Sequence, residues 1–327
     1  MARKTTVLIT GCTPGGIGHA LALEFHKRGC HVIATARRPE VLVDLGSMGI
    51  STLQLDVTDE ESVARCRAEA GALLVDGKLD VLVNNACVHS LNHIEKGNIW
   101  HEDSRRGEYR GVFRAVPALD HETESAKAMF DVNVFGLMRM CKAFVDLLIP
   151  ARGLIVNVSS VCAILPAIFL SVYSSCKAAV DQYTAVLRQE LEPLHVRIML
   201  IQAGGVDTNI FKDDDSFLPT DSRYTAARDV YDSFICTFRD IVQTTPSDRF
   251  AARVVGAALK GEPRLAGLLG GTPDCLWYGG LTFSTWVYQL SFVPTWVRRL
   301  MLNAFLRNRR MIRLIREADV GNKLHQS

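Results

Sequence analysis

Residues 6–18 read Thr-Val-Leu-Ile-Thr-Gly-Cys-Thr-Pro-Gly-Gly-Ile-Gly. Thr6 to Thr10 is a short apolar, β-branched run of the kind buried in a parallel sheet. Gly11, Gly15, Gly16 and Gly18 follow, and His19 to Arg28 (HALALEFHKR) then carries an amphipathic helical pattern. Strand, glycine turn and helix in that order form a dinucleotide-binding fingerprint. The glycines let the backbone approach a diphosphate, which rests on the helix N-terminus. An ordinary turn can also be glycine-rich; the position between a buried strand and a helix favours the fingerprint.

Outward from that stretch, Cys30 to Ala36 (CHVIATA) reads as a second strand. Folds that prefer NAD place an acidic residue at its end for the ribose 2′-hydroxyl. Here Thr35 and Ala36 stand there, followed by Arg37 and Arg38. A guanidinium suits a 2′-phosphate, so the expected cofactor is NADP(H), with Arg37 its reader. Thr52 to Val57 and Leu79 to Ala86 are the third and fourth strands. Gly153 to Ser160 and Val196 to Gln202 are later ones, and helical periodicity fills Ala126 to Leu148, Tyr173 to about Leu194, and Ser247 to Leu259. That alternation predicts an α/β fold, a doubly wound parallel sheet of Rossmann-like form.

The bulk numbers agree with such a fold. A chain of 327 residues with 48% hydrophobic and 22% charged residues can bury a large core. A net charge of +2 supplies no global field for nucleic acid. The nine cysteines include no C-x-x-C pair or zinc-finger spacing and fit a reducing compartment. The apolar run near the N-terminus is too short for a signal peptide.

Chemistry concentrates between Ser160 and Lys177. Ser159 and Ser160 end a strand, the place where open α/β sheets bind ligands. Tyr173 and Lys177 are four apart and share a helix face. An ammonium beside a phenol favours the phenolate and tunes it as a proton donor or acceptor. Spacing alone leaves such a pair as an ordinary helix face; its surroundings decide.

Taken together these motifs resemble the short-chain dehydrogenase/reductase family. The resemblance covers about residues 4–260. The family's T-G-x-x-x-G-x-G appears as Thr10-Gly11 and Gly16-Ile17-Gly18, one residue longer in the turn. Its N-N-A-G appears as Asn84-Asn85-Ala86-Cys87, and a side chain at 87 is expected to crowd the adenosine side. Asp131 to Gly136 (DVNVFG) matches its helix segment, and P-G-x-V-x-T appears with Ala203 for proline but with Gly204, Val206 and Thr208 in place. The resemblance implies Ser160, Tyr173, Lys177 and Asn133 as the catalytic set. It implies cofactor contacts from Gly11, Gly16, Ile17, Gly18, Asp56, Asn84, Tyr173, Lys177, Val206 and Thr208, beside Arg37. No metal is implied.

Two regions stand apart, dividing the chain into a dehydrogenase domain (1–270) and a C-terminal extension (271–327). Within the domain, about 88–114 is a strongly polar insertion. It reads as a lid, a disordered insertion or translated intron sequence. Its three histidines, His89, His93 and His101, lack a clear set of ligand partners. In the extension, Cys275 to Val297 has no charged residue and many aromatics, and seven arginines follow between Arg298 and Arg316. That suits an interfacial anchor on anionic lipid through 275–316; helices covering the substrate cavity are the alternative. Phe292, Pro294, Trp296 and the basic tail resemble a fungal branch that includes NADPH-dependent 1-acyldihydroxyacetone-phosphate reductases. That likeness implies a lipid-like ketone and the cytoplasmic side of an endoplasmic-reticulum or lipid-droplet surface. The same branch resembles tailoring ketoreductases of fungal secondary metabolism. A homo-oligomer is compatible with the sequence, which fixes no state. A hydrolase is disfavoured, since no G-x-S-x-G elbow occurs. A non-catalytic NADP(H)-binding scaffold is disfavoured because every catalytic position is filled.

Overall fold

The computed structural model describes residues 3–87, 115–209, 218–262, 270–289, 294, 297, 300, 310 and 312–317. The insertion at 88–114 and its histidines therefore lie outside the described residues, as do Phe292 and Trp296.

The strands expected from sequence form one parallel sheet. In chain order they are β1 (Thr6–Ile9), β2 (His31–Ala36), β3 (Ser51–Gln54), β4 (Val81–Asn84), β5 (Leu154–Ser160) and β6 (Arg197–Ala203). β3 ends earlier than its pattern suggested: Leu55 is buried beyond it, and Asp56 begins a turn. The helices are α1 (Ile17–Lys27), α2 (Val43–Ser47), α3 (Glu60–Leu73), α4 (Thr123–Phe130), α5 (Leu137–Leu148) and α6 (Ser171–Leu191). Beyond β6 come the short pair β7 (Val206–Asp207) and β8 (Thr245–Pro246), with α7 (Arg228–Val242) between them and α8 (Ser247–Ala258) after. β9 (Cys275–Tyr278) and α9 (Thr282–Gln289) end the sequence of named elements.

The sheet runs β3-β2-β1-β4-β5-β6-β9. β1 is the turning point: Val7 lies beside Val32 of β2 on one side and Val81 of β4 on the other. Chain direction across the sheet reverses there, which opens a crevice at the C-terminal strand ends. The strands are apolar on both faces because both faces are covered. On one, Leu21 and Phe25 of α1 pack with Phe250 and Val254 of α8. On the other, Cys66 of α3, Met140 and Phe144 of α5 and Val180 of α6 pack together. Each fully buried large side chain contributes about 1.5–3 kcal/mol of hydrophobic stabilisation.

The seventh strand revises the reading of the C-terminal region. β9 comes from the start of the aromatic run assigned to the extension, so the sheet crosses the 270/271 boundary. It pairs in parallel with β6, Leu200 opposite Cys275 and Ala203 opposite Tyr278. Just beyond, Gly205 and Gly280 exchange both backbone hydrogen bonds, at 3.0 and 3.1 Å. The loop carrying Val206 and Thr208 is thus fastened to the end of the last strand.

Candidate active site

The crevice beside β1 is built from backbone. Thr10 Oγ1 accepts the N–H groups of Asn85 and Ala86, both at 2.9 Å, and joins the ends of β1 and β4. Asn85 Nδ2 donates to the carbonyls of Thr10 (2.9 Å) and Gly11 (3.0 Å). Gly18 is packed so closely that a Cβ there would lie 2.4 Å from Gly11 O and 2.5 Å from Asn85 Nδ2. The surplus turn residue has a clear form. Gly16 N–H bonds to Thr13 O at 3.1 Å, with Pro14 and then Gly15 (φ +74°) between them. Proline followed by a positive-φ glycine is the sequence of a type II turn.

α1 starts at Ile17 with no side-chain cap on its N-terminus and no acidic residue in its first turn. The first amides of a helix lack intrahelical acceptors, so an open, uncapped terminus beside a glycine turn fits a diphosphate. Arg37 follows β2 directly, and its carbonyl accepts from Gln54 Nε2 at 3.1 Å. Asp56 Oδ1 accepts from Thr58 N–H (2.9 Å) and Thr58 Oγ1 (2.7 Å), which fixes the turn after β3. Val206 and Thr208 are buried beyond β6. Gly11, Gly16, Ile17, Gly18, Arg37, Asp56, Val206 and Thr208 all fall on segments at or just beyond strand C-termini.

Asn84 departs from expectation. Its side chain is buried within the sheet, where Nδ2 donates to Asn157 Oδ1 at 2.9 Å and approaches Cys141 Sγ at 3.3 Å. Asn157 in turn donates to Thr184 Oγ1 at 2.9 Å. The Asn84 amide braces β4 against β5, and its neighbour Asn85 is the one on the glycine turn. Successive strand residues face opposite ways, so adjacent asparagines take separate duties.

The chemical groups converge from three elements. β5 delivers Ser160, whose Oγ accepts from Cys162 N–H at 3.2 Å and caps the next turn. α6 carries Tyr173 and Lys177, both buried. Lys177 Nζ donates to Val158 O at 3.0 Å and sits 5.6 Å from the centre of the Tyr173 ring. Asn133 is buried on a π-helical turn, Asp131–Gly136, between α4 and α5. Such turns widen a helix and recur at functional sites. That turn packs against α6, which carries Tyr173 and Lys177. The structure thus brings Ser160, Tyr173, Lys177 and Asn133 together.

Burial pushes the Tyr173 phenol well above its ordinary pKa, the thiols of Cys87 and Cys162 add to the rise, and a hydrogen bond with Ser160 opposes it. In the protein alone, burial therefore outweighs the expected pull of Lys177. Cys87 is partly buried and packs against the core cluster that contains Tyr173.

Sequence reasoning missed two groups. Behind Lys177, Asp181 accepts hydrogen bonds from Ser159 Oγ and Gln202 Nε2. Burial raises its carboxyl pKa, against those bonds and the charge of Lys177. Its spacing of four from Lys177 was the available signal. The second is Phe169, the centre of an aromatic wall whose other rings, Tyr224, Tyr231 and Phe234, come from the segment after Asn209. Phe169 lies 5.0 Å from Tyr231, 5.5 Å from Phe234 and 6.4 Å from Tyr224, ring centre to ring centre and edge-on. Its carbonyl accepts from Val116 N–H at 2.8 Å, and Tyr231 OH donates to Ala115 O at 2.6 Å. Phe169 has φ +65°, a left-handed conformation that costs a bulky residue roughly 1–3 kcal/mol. The loop between Ser160 and Tyr173 is thereby tied to α7 and the residues after the insertion. Among the described residues, no group of three or more metal-ligating side chains occurs.

A parallel sheet with a diphosphate cradle at its turning point and a serine–tyrosine–lysine set beside it defines a dinucleotide-dependent oxidoreductase. The short chain dehydrogenase family model matches residues 5–106 and 108–218, and the chain belongs to that family. It is 39% identical over 271 residues to short-chain dehydrogenase srdE of Neurospora crassa, covering 80% of this chain and 82% of that one. It is 40% identical over 210 residues to the NADPH-dependent 1-acyldihydroxyacetone phosphate reductase of Schizosaccharomyces pombe, covering 64% and 62%. Among solved structures, a short-chain dehydrogenase from Streptomyces avermitilis superposes with a TM-score of 0.68 at 25% identity, over 91% of this chain and 94% of that one.

Proposed function

We propose that the protein is an NADP(H)-dependent carbonyl reductase, running in reverse as an alcohol dehydrogenase, for a hydrophobic or lipid-like ketone. The observation that carries this is the burial of Tyr173 and Lys177 on α6, with Lys177 Nζ 5.6 Å from the centre of the Tyr173 ring, beside the buried Ser160 at the end of β5. When bound, the nicotinamide supplies or accepts the hydride. Tyr173 gives its proton to the carbonyl oxygen as negative charge develops there. Ser160 donates to the same oxygen, as an oxyanion donor does. Lys177 stabilises the phenolate that forms. Asn133, held one helix away, supports the relay that returns the proton.

Arg37 and the absence of an acidic residue at the end of β2 support NADP(H) over NAD(H). The buried aromatic group around Phe169, on the loop that leads from Ser160 to Tyr173, supports an apolar substrate. Acyldihydroxyacetone phosphate is one candidate, in line with the yeast relative's name. A polyketide-type ketone, reduced in secondary metabolism, is the other. The test is a ketone panel containing both, run with NADPH and with NADH. NADPH is expected to be preferred, and Arg37→Ala to raise its KM about tenfold while leaving NADH unchanged. A preference for NADH overturns the cofactor reading. Cofactor binding with no turnover on any ketone supports the scaffold instead.

Contact with a membrane surface belongs to the same proposal. On α9, Phe283 is 75% and Trp286 50% exposed, with rings stacked 6.4 Å apart. No helix among the described residues is long and apolar enough to cross a membrane. Surface attachment on the cytoplasmic side of the endoplasmic reticulum or a lipid droplet fits this pair and the basic tail. Flotation with anionic vesicles tests it: co-flotation that Phe283→Asp/Trp286→Asp abolishes is expected. Full recovery of the wild type in a detergent-free supernatant overturns it.

A further inference from the structure

The longer glycine turn has a partner that the motifs do not assign. Asn209, the residue after Thr208, reaches across to it with two donors. Its backbone N–H bonds to Gly15 O and its Nδ2 to Pro14 O, each at 3.1 Å. The fit is close: a Cβ on Gly15 would lie 2.1 Å from Asn209 Nδ2. The loop that follows β6 is therefore joined to the turn that follows β1.

These two carbonyls matter electrostatically. A carbonyl oxygen turned toward a phosphate repels it, whereas an N–H attracts it. In a trans peptide the C=O and the next N–H point in opposite directions. Holding Pro14 O on Asn209 therefore directs the Gly15 N–H to the other side. The donors also offset the partial charge of both oxygens. We propose that Asn209 is a positioning residue for the cofactor's diphosphate: it fixes the orientation of the longer turn before the dinucleotide arrives. The inference rests on the dinucleotide reading of this crevice. It adds a third side chain to those of Thr10 and Asn85 that hold this cradle, and gives the surplus residue a reason.

The test is equilibrium binding of NADPH, NADH and ADP-ribose to the full chain, wild type and Asn209→Ala. All three ligands share the diphosphate. Loss of one net hydrogen bond and of the preorganised turn is expected to raise all three dissociation constants alike, about tenfold. The kcat at saturating NADPH should stay within twofold. The melting temperature without ligand should hold, while the stabilisation by NADPH shrinks. Unchanged dissociation constants overturn the proposal, and so does a loss confined to NADPH, which would place the effect at the 2′-phosphate. If Asn209→Ala does not fold, Asn209→Asp carries the test, since it keeps the backbone N–H but cannot donate to Pro14 O. Its loss should equal or exceed that of alanine for all three ligands; wild-type binding overturns the proposal. Failure of both to fold assigns Asn209 to the fold and also overturns it. A wild type that binds none of the three ligands sinks the dinucleotide reading itself, a separate outcome from wild-type binding that the substitution leaves intact.

Discussion

The turn after β1 and the wall beyond Tyr173 are held in different ways. The turn is backbone packed on backbone, braced by Thr10, Asn85 and Asn209, with glycines where no Cβ fits. The wall is ring against ring, around Phe169, Tyr231 and Phe234, hung on two backbone carbonyls. A diphosphate is common to every dinucleotide, so its cradle needs amides in fixed directions and little side-chain variety. A substrate pocket must differ from one enzyme to another, and side chains are what can differ.

If the two regions are separate in duty, changes should separate in effect. The largest change is expected from Tyr173→Phe, which keeps the ring and removes the proton donor. Turnover should fall by about 10²–10⁴ while NADPH affinity holds. Stopped-flow turnover and fluorescence titration check both halves, and wild-type turnover would refute the mechanism. Next comes the wall. Phe169→Ala should cost about 3–5 kcal/mol in urea unfolding, as for other buried phenylalanines. Because φ is +65° at this position, Phe169→Gly should recover about 1 kcal/mol relative to alanine, the reverse of the usual order. Ketone KM should rise in the surviving variants while NADPH KM does not. An equal rise in both would show that the wall and the cradle are coupled.

The smallest change concerns Asp181. Its pKa in the folded chain is raised above the ordinary 3.8. The folded state therefore binds the proton more tightly than the unfolded state. Its contribution to stability is greatest below 3.8 and is lost as pH rises through the raised value. Stability of wild type minus Asp181→Asn should fall across that window and stay level above it. Urea midpoints measured from acid to neutral pH check the sign; a difference that grows with pH contradicts it.

How far sequence could see follows the same division. The glycine turn, the buried strands and the Ser160–Tyr173–Lys177 set were legible because each is local. Strand runs, glycine positions and a spacing of four are visible without a fold. The separate placing of the two asparagines was hidden because adjacent strand residues face opposite ways: Asn84 braces β4 against β5, and Asn85 holds the glycine turn. The packing of Cys87 against the cluster of Tyr173 was not visible, because Tyr173 comes from α6, far along the chain. β9 was hidden for a similar reason. Its four residues, CLWY, open an uncharged aromatic stretch that looks alike as an anchor or as an edge strand. Only register against β6 tells them apart. Asp181 and Gln202 meet from α6 and β6, and nothing in either segment announces the other.

Consider what β9 means for the order in which the molecule is made. On the ribosome, β1 to β6 emerge before Cys275 exists, and β6 is then an open edge of apolar strand. Open edges recruit other strands. The loop after β6 is also unfinished, since Gly205 has no Gly280 to bond. Final closure of the sheet and of the loop that carries Thr208 must wait for the last part of the chain. A product stopped between residues 209 and 274 would contain Asn133, Ser160, Tyr173 and Lys177 and still lack the clasp on that loop. Synthesis through Gly280 is thus a checkpoint: the chain that can clasp this loop is a chain that has passed residue 280.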